Sequence, residues 1–169
     1  MSVQPIRLFG DPVLRTPAEP VVDFDKELRT LVKDLQETML DAPGVGLAAP
    51  QIGVGLRVFT YHVDDVLGHL INPTLDLTDD EQEDDEGCLS FPGAFIDCAR
   101  PDFARVDGFG VDGSPVMFEG DGLLARCLQH ETDHTLGTVF ADRLPTKAQK
   151  KLRKIQAKVA DDFPPGWPA

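Results

Sequence analysis

Apolar side chains at Phe24, Leu28, Leu31, Val32, Leu35 and Met39 follow one another at spacings of 4, 3, 1, 3 and 4, with Asp, Lys, Glu and Arg between them. That is a single apolar stripe along a helix. Asp23 or Asp25 can cap its start, and Pro43-Gly44 closes it off. From Leu56 to about Val63, β-branched and aromatic residues predict a strand, and Leu70-Ile71 before Asn72-Pro73 predicts another. Phe103 to Phe118 reads as a hairpin whose turn, Asp112-Gly113, tolerates positive φ. A second helix is predicted from about Asp121 to Leu136, with Gly137 at its C-terminal cap. A third follows Pro145, over about 146–160, with Ala148, Leu152, Ile155 and Val159 at spacings of 4, 3 and 4. The tail Pro164-Pro165-Gly166-Trp167-Pro168 cannot continue it and reads as extended or mobile. A helix, several strands and then helices give an α+β class.

Composition narrows the reading. The 169 residues contain no internal repeat and no dividing linker, so residues 1–169 are expected to form one domain. Hydrophobic residues at 41% and charged residues at 27% are ordinary for a globular chain. No window approaches the roughly 18 consecutive apolar residues of a membrane span. Pro5, Pro12 and Pro17 interrupt the first 18 residues, and no export segment is expected there. Three widely spaced cysteines do not form a disulfide framework and point to a reducing compartment, the cytoplasm. The net charge of −13 disfavours sequence-specific or general nucleic-acid binding by the body of the protein. That charge is uneven. Asp76 to Glu86 carries eight acids and no base, which predicts a solvated face, whereas Lys147 to Lys158 carries six bases and no acid.

The richest chemistry lies in Gln129-His130-Glu131-Thr132-Asp133-His134. Two histidines four apart on a helix can reach one metal ion, and Glu131 beside them can hold a water next to that ion. Helical spacing puts Leu123, Cys127, His130 and His134 on the inward stripe, and Arg126, Gln129 and Asp133 on the other face. Asp133 is expected to make a structural ion pair. No histidine follows His134, so the downstream third ligand of the familiar metalloprotease pattern is missing, which disfavours an endopeptidase. His62 and His69 read as surface residues. Cys88, in Glu86-Gly87-Cys88-Leu89-Ser90, is the candidate third ligand, with Glu86 and Ser90 able to support it by hydrogen bonds. Cys98 and Cys127 read as packed thiols. One thiolate and two imidazoles leave a fourth position open, as catalytic sites do. The run Gly44-Val45-Gly46-Leu47-Ala48-Ala49-Pro50-Gln51 superficially matches a dinucleotide fingerprint. A helix precedes it and a strand follows, the reverse of what that fingerprint requires. Its small residues suit a backbone lying against a substrate, and Gln51 offers a neutral donor.

Together these three segments resemble the peptide deformylase family, in family order and with suitable spacing. Weaker matches extend the likeness over about residues 5–145, among them Gly10-Asp11-Pro12-Val13-Leu14-Arg15 and Asp142-Arg143-Leu144. The resemblance implies antiparallel strands around a central helix that carries the His-Glu-x-x-His motif. It implies a metal-dependent hydrolase that removes the formyl group from the N-terminal formylmethionine of nascent polypeptides and releases formate. Cys88, His130 and His134 become the metal ligands, Glu131 the general base and acid, and Gln51 with the Leu89 N–H the oxyanion donors. Gly46 would pair its backbone with an extended substrate, while Val45, Leu123 and Cys127 would line an apolar pocket for the methionine side chain. One divalent ion per chain is implied, Fe²⁺ in the cell, with Zn²⁺, Ni²⁺ or Co²⁺ able to replace it on isolation. The basic C-terminal helix, by the same likeness, would contact the ribosome. The alternative is a metal-binding relative of the same fold with a different amide or peptide substrate. Two positions depart from the family pattern. Thr135 stands where a large apolar residue is usual, and Phe95 stands where several bacterial members carry arginine.

Overall fold

Asp25 settles where the first helix begins. Its Oδ1 accepts from the Leu28 N–H at 3.0 Å, and α1 runs Lys26–Asp41. In the computed structural model, which describes residues 2–159 and 161, the predicted stripe faces inward: Leu28, Val32, Leu35 and Met39 are buried, the last two completely. Burying a side chain of that size contributes about 1.5–3 kcal/mol, so this face, more than helix propensity, holds α1 in place.

Seven strands follow, arranged in two antiparallel sheets. Strands β1 (Gly46–Ala48), β2 (Val58–Val63), β3 (Val66–Leu77), β6 (Phe103–Phe109) and β7 (Pro115–Asp121) form one sheet in the order β1-β2-β3-β6-β7. Strands β4 (Glu81–Cys88) and β5 (Phe91–Pro101) form a separate hairpin. Helix α2 (Gly122–Thr135) lies between them, and α3 (Thr146–Lys158) packs beside β5. This is the expected α+β architecture with antiparallel strands around the motif-bearing helix. Among the described residues, no helix is long and apolar enough to cross a membrane. The Pro-rich segment 164–168 lies outside the described residues.

Three expectations need correction. Strand β3 does not stop before Asn72-Pro73 but continues to Leu77, because a register shift between Ile71 and Thr74 lets the ladder skip the proline. The Asn72 side chain exchanges two hydrogen bonds with the Val21 backbone, which anchors the N-terminal segment to the bulge. The acidic run is largely solvated, but it folds into the end of β3 and most of β4, and Glu86 at its close is buried. Of the predicted α3 stripe only Leu152 is fully buried, Ala148 and Ile155 are partly so, and Val159 stands outside.

Candidate active site

Helix α2 is buried on every side. From Ala125 to Thr135 all eleven residues are shielded, including Arg126, Gln129 and Asp133, which helical spacing had assigned to an outer face. The reason is that both faces of α2 are covered. Cys127 and Leu128 pack on Phe59, Tyr61, Leu70 and Val106 of the large sheet, while the opposite side meets the β4–β5 hairpin. That hairpin brings its own charges. Arg100 of β5 forms a bidentate pair with Glu86 (3.0 and 2.6 Å) and donates to Asp133 at 2.7 Å. Arg143 completes the set, with two bonds to Asp133 at 3.1 and 2.7 Å. Asp133 thus makes the structural ion pairs expected of it, but inside the protein.

His130 and His134 project from α2 toward the end of β4, where Cys88 sits. The His134 Nε2 lies 3.4 Å from Cys88 Sγ and 3.2 Å from His130 Nε2. All three donor atoms fall within 4.8 Å of one another. With metal–nitrogen and metal–sulfur bonds of about 2.05 and 2.3 Å, a tetrahedral ion would separate its nitrogens by about 3.3 Å and nitrogen from sulfur by about 3.6 Å. The donor set and its spacings therefore fit one divalent cation. His130 Nδ1 meets Glu86 Oε2 at 2.8 Å. An ionised carboxylate can only accept, so Nδ1 carries the proton and Nε2 presents its lone pair to the cluster. Among the described residues no such partner exists for His134 Nδ1.

Electrostatics agree with this arrangement. Burial opposes ionisation of Glu86, but hydrogen bonds from His130 and Arg100 outweigh it and hold the carboxyl below the usual range. Burial also pulls both imidazoles toward the neutral form. For His134, beside His130, that pull prevails. For His130 the hydrogen bonds and charges of Cys88, Glu86 and Glu131 outweigh it and raise the imidazole well above its usual range. Burial pushes the Glu131 carboxyl up to about 7, against the attraction of His130. Its Oε2 has no hydrogen-bond partner among the described residues.

A cavity of 610 Å³ opens beside the cluster, lined mainly by apolar side chains. Every candidate residue except His134 lines it: Gln51, Cys88, Leu89, His130, Glu131, Gly46, Val45, Leu123 and Cys127. Gln51 is held from both ends. Its Oε1 accepts from the Ala48 N–H at 2.9 Å, and its Nε2 donates to Ser90 Oγ at 3.1 Å and toward Cys88 Sγ at 3.6 Å. Gly46 lies so close to Glu131 that a Cβ there would stand 2.5 Å from Oε1 and 2.8 Å from Cγ. Strand β1, which carries Gly46, is the edge of its sheet. Cys127 is both packed and at the cavity wall, donating to the Val45 carbonyl at 3.3 Å. Phe95 stands 68% exposed at the cavity mouth. Thr135 is fully buried and returns its hydroxyl to the Thr132 carbonyl at 2.7 Å. His62 and His69 are half-buried, away from the cluster, and His69 Nε2 accepts from the Val111 N–H. Sequence reasoning missed Arg100 and the inward role of Arg126. Their only local signal is the spacing of Arg126 four residues before His130.

A cysteine sulfur and two imidazoles gathered beside a buried carboxyl group, at the wall of an apolar cavity, define a metallohydrolase of the His-Glu-x-x-His kind. The sequence model of the polypeptide deformylase family matches residues 3–150. A peptide deformylase of Acidothermus cellulolyticus is 65% identical over 92% of this chain and 87% of its own length. Peptide deformylase 1 of Corynebacterium glutamicum is 50% identical over 93% and 96%. Among solved structures, the peptide deformylase of Thermus thermophilus superposes with a TM-score of 0.86 at 39% identity, covering 92% of this chain and 94% of that one. That of Synechococcus elongatus, in complex with actinonin, gives 0.86 at 37% identity, covering 95% and 86%. The chain belongs to the polypeptide deformylase family. It is a metal-dependent hydrolase that removes the formyl group from nascent polypeptides.

Proposed function

We propose that Cys88, His130 and His134 hold the metal, that Glu131 moves the proton, and that Gln51 and the Leu89 N–H stabilise the oxyanion. The observation that carries this reading is the meeting of three ligand atoms with a buried, partly unsatisfied carboxylate at one wall of an apolar cavity. A divalent ion bound there supplies Lewis acidity, which brings the deprotonation of water from about 15.7 to about 7. Glu131 accepts a proton from the attacking water and returns it to the amine nitrogen as the C–N bond breaks. Gln51, anchored by Ala48 and Ser90, would turn the hydrogen now aimed at Cys88 Sγ toward the oxyanion; loss of one such donor costs about 2.7–4 kcal/mol of barrier. The open edge of β1 pairs Gly46 with an extended substrate, and Val45, Leu123 and Cys127 take the methionine side chain. Formate release from a formyl-methionyl peptide, assayed beside its unformylated counterpart, tests the whole assignment.

Gly46→Ala tests the carboxylate's place. The added methyl would displace Glu131 while leaving the three ligands alone, so turnover should fall about 10²-fold with metal stoichiometry unchanged. Measuring both on one preparation checks it.

The ion in the cell is Fe²⁺ on this reading; thiolate and imidazole donors accept Fe²⁺, Zn²⁺, Co²⁺ and Ni²⁺ alike, and the resemblance of the three motifs supports iron among them. Elemental analysis of anaerobically purified protein decides it. The working compartment is the cytoplasm, where formylated nascent chains arise, and α3 docks on the ribosome through Lys147, Lys150, Lys151 and Lys154. Deleting α3 is a poor test because Leu152 belongs to the core. Converting those four lysines to glutamate should instead abolish co-sedimentation with ribosomes while a free formyl peptide is still hydrolysed.

A further inference from the structure

Glu86 is gripped from three sides. Its Oε2 receives Arg100 Nη2 and His130 Nδ1, and its Oε1 receives Arg100 Nε and, at 2.9 Å, Arg126 Nη1. Arg126 and His130 are four apart on α2, so one helix face holds the two oxygens of one carboxylate. Arg126 is itself fixed from behind, its Nη1 donating to the Cys98 carbonyl at 2.7 Å. Its Nε and Nη2 have no partner among the described residues, although the side chain is only 5% exposed. A buried cation so incompletely satisfied is costly to keep, and the carboxylate it pairs with is Glu86. Of the two histidines in the cluster, only His130 has its second ring nitrogen tied down. The orientation of His130 therefore depends on Glu86, and Glu86 cannot rotate without breaking with Arg126 as well as with Arg100.

We propose that Arg126 is a positioning residue for the metal centre, holding the Glu86 carboxylate in the orientation that aims His130 Nε2 at Cys88 and His134. It rests on the metal-ligand reading given above, and Co²⁺ is the probe that separates the two. Wild-type protein should bind one Co²⁺ per chain, with visible bands that report the ligand geometry. In Arg126→Met, which keeps the stem against the cavity wall, the bands should shift and EDTA should strip Co²⁺ about 10-fold faster. Arg126→Lys restores a cation beside Glu86 and should bring the rate back to within about threefold of wild type. Melting of the metal-free proteins is followed in parallel. A lower melting temperature with unchanged bands and an unchanged release rate marks a merely structural side chain and overturns the proposal. Arg126→Gln is read in the same way should the methionine variant not fold. If wild-type protein takes up no Co²⁺, the metal-ligand reading itself fails, whatever Arg126 does.

Discussion

Glu131→Gln is expected to keep its metal and lose about 10²–10⁴-fold in turnover, the range that a positioned general acid–base supplies. Glutamine matches glutamate in size, so the packing of α2 and the three ligand atoms should be undisturbed. What disappears is the capacity to accept a proton. The carboxylate has few structural duties to lose, because Glu131 is 3% exposed and its Oε2 meets no donor among the described residues. Burying an ionisable group without a partner costs stability, so the variant should melt at or above the wild-type temperature. The pairing of a more stable protein with a nearly inactive one would identify Glu131 as a residue kept for chemistry. Formate-release kinetics, metal analysis and a melting curve on the same sample provide the check. A kcat within about threefold of wild type would remove Glu131 from the mechanism.

The features legible in the sequence share a property: each depends on residues close together in the chain. The α1 stripe and its Asp25 cap, the Asp112-Gly113 turn, and the ends of α2 near Asp121 and Gly137 are of this kind. So are the His130/Glu131/His134 spacing and the motifs carrying Gln51 and Cys88. The β4–β5 hairpin was not visible, because its acidic first strand lacks the apolar alternation that marks a half-buried strand. Missing the hairpin had a further consequence. Helical periodicity assumes that water lies on the polar side, and Arg126, Gln129 and Asp133 were assigned there. In the fold that side faces Glu86 and Arg100, whose charges complement those of Arg126 and Asp133, while Gln129 donates to the Pro101 carbonyl. A polar face can be an interior face when another segment brings opposite charges to it, and here that pairing joins residues 33 and 40 positions apart in sequence. Glu86 shows the same limit. It closes an acidic run that is otherwise solvated, yet it is the group that orients His130.

Cys88→Ala should abolish metal retention, and activity with it. In the proposed site the sulfur is one of three ligand atoms, and two imidazoles on a single helix give too few donors to hold a divalent ion through dialysis. Loss of a group that merely supports a ligand costs 10–100-fold in affinity, so loss of a ligand should exceed about 100-fold. Folding should suffer far less. Cys88 is at the end of β4 and removing its sulfur opens only a small gap, whereas the neighbouring Phe91, Phe9 and Phe140 still close the core. Serine at this position should behave like alanine, because a hydroxyl stays protonated at neutral pH and is a poor substitute for a thiolate. His62→Ala and His69→Ala are the matched controls: both remove an imidazole from the sheet, away from the cluster, and both should keep a full equivalent of metal. Elemental analysis after dialysis ranks the four variants directly. A full equivalent retained by Cys88→Ala would mean that the ion sits elsewhere, and the roles given to His130, His134 and Glu131 would have to be reassigned with it.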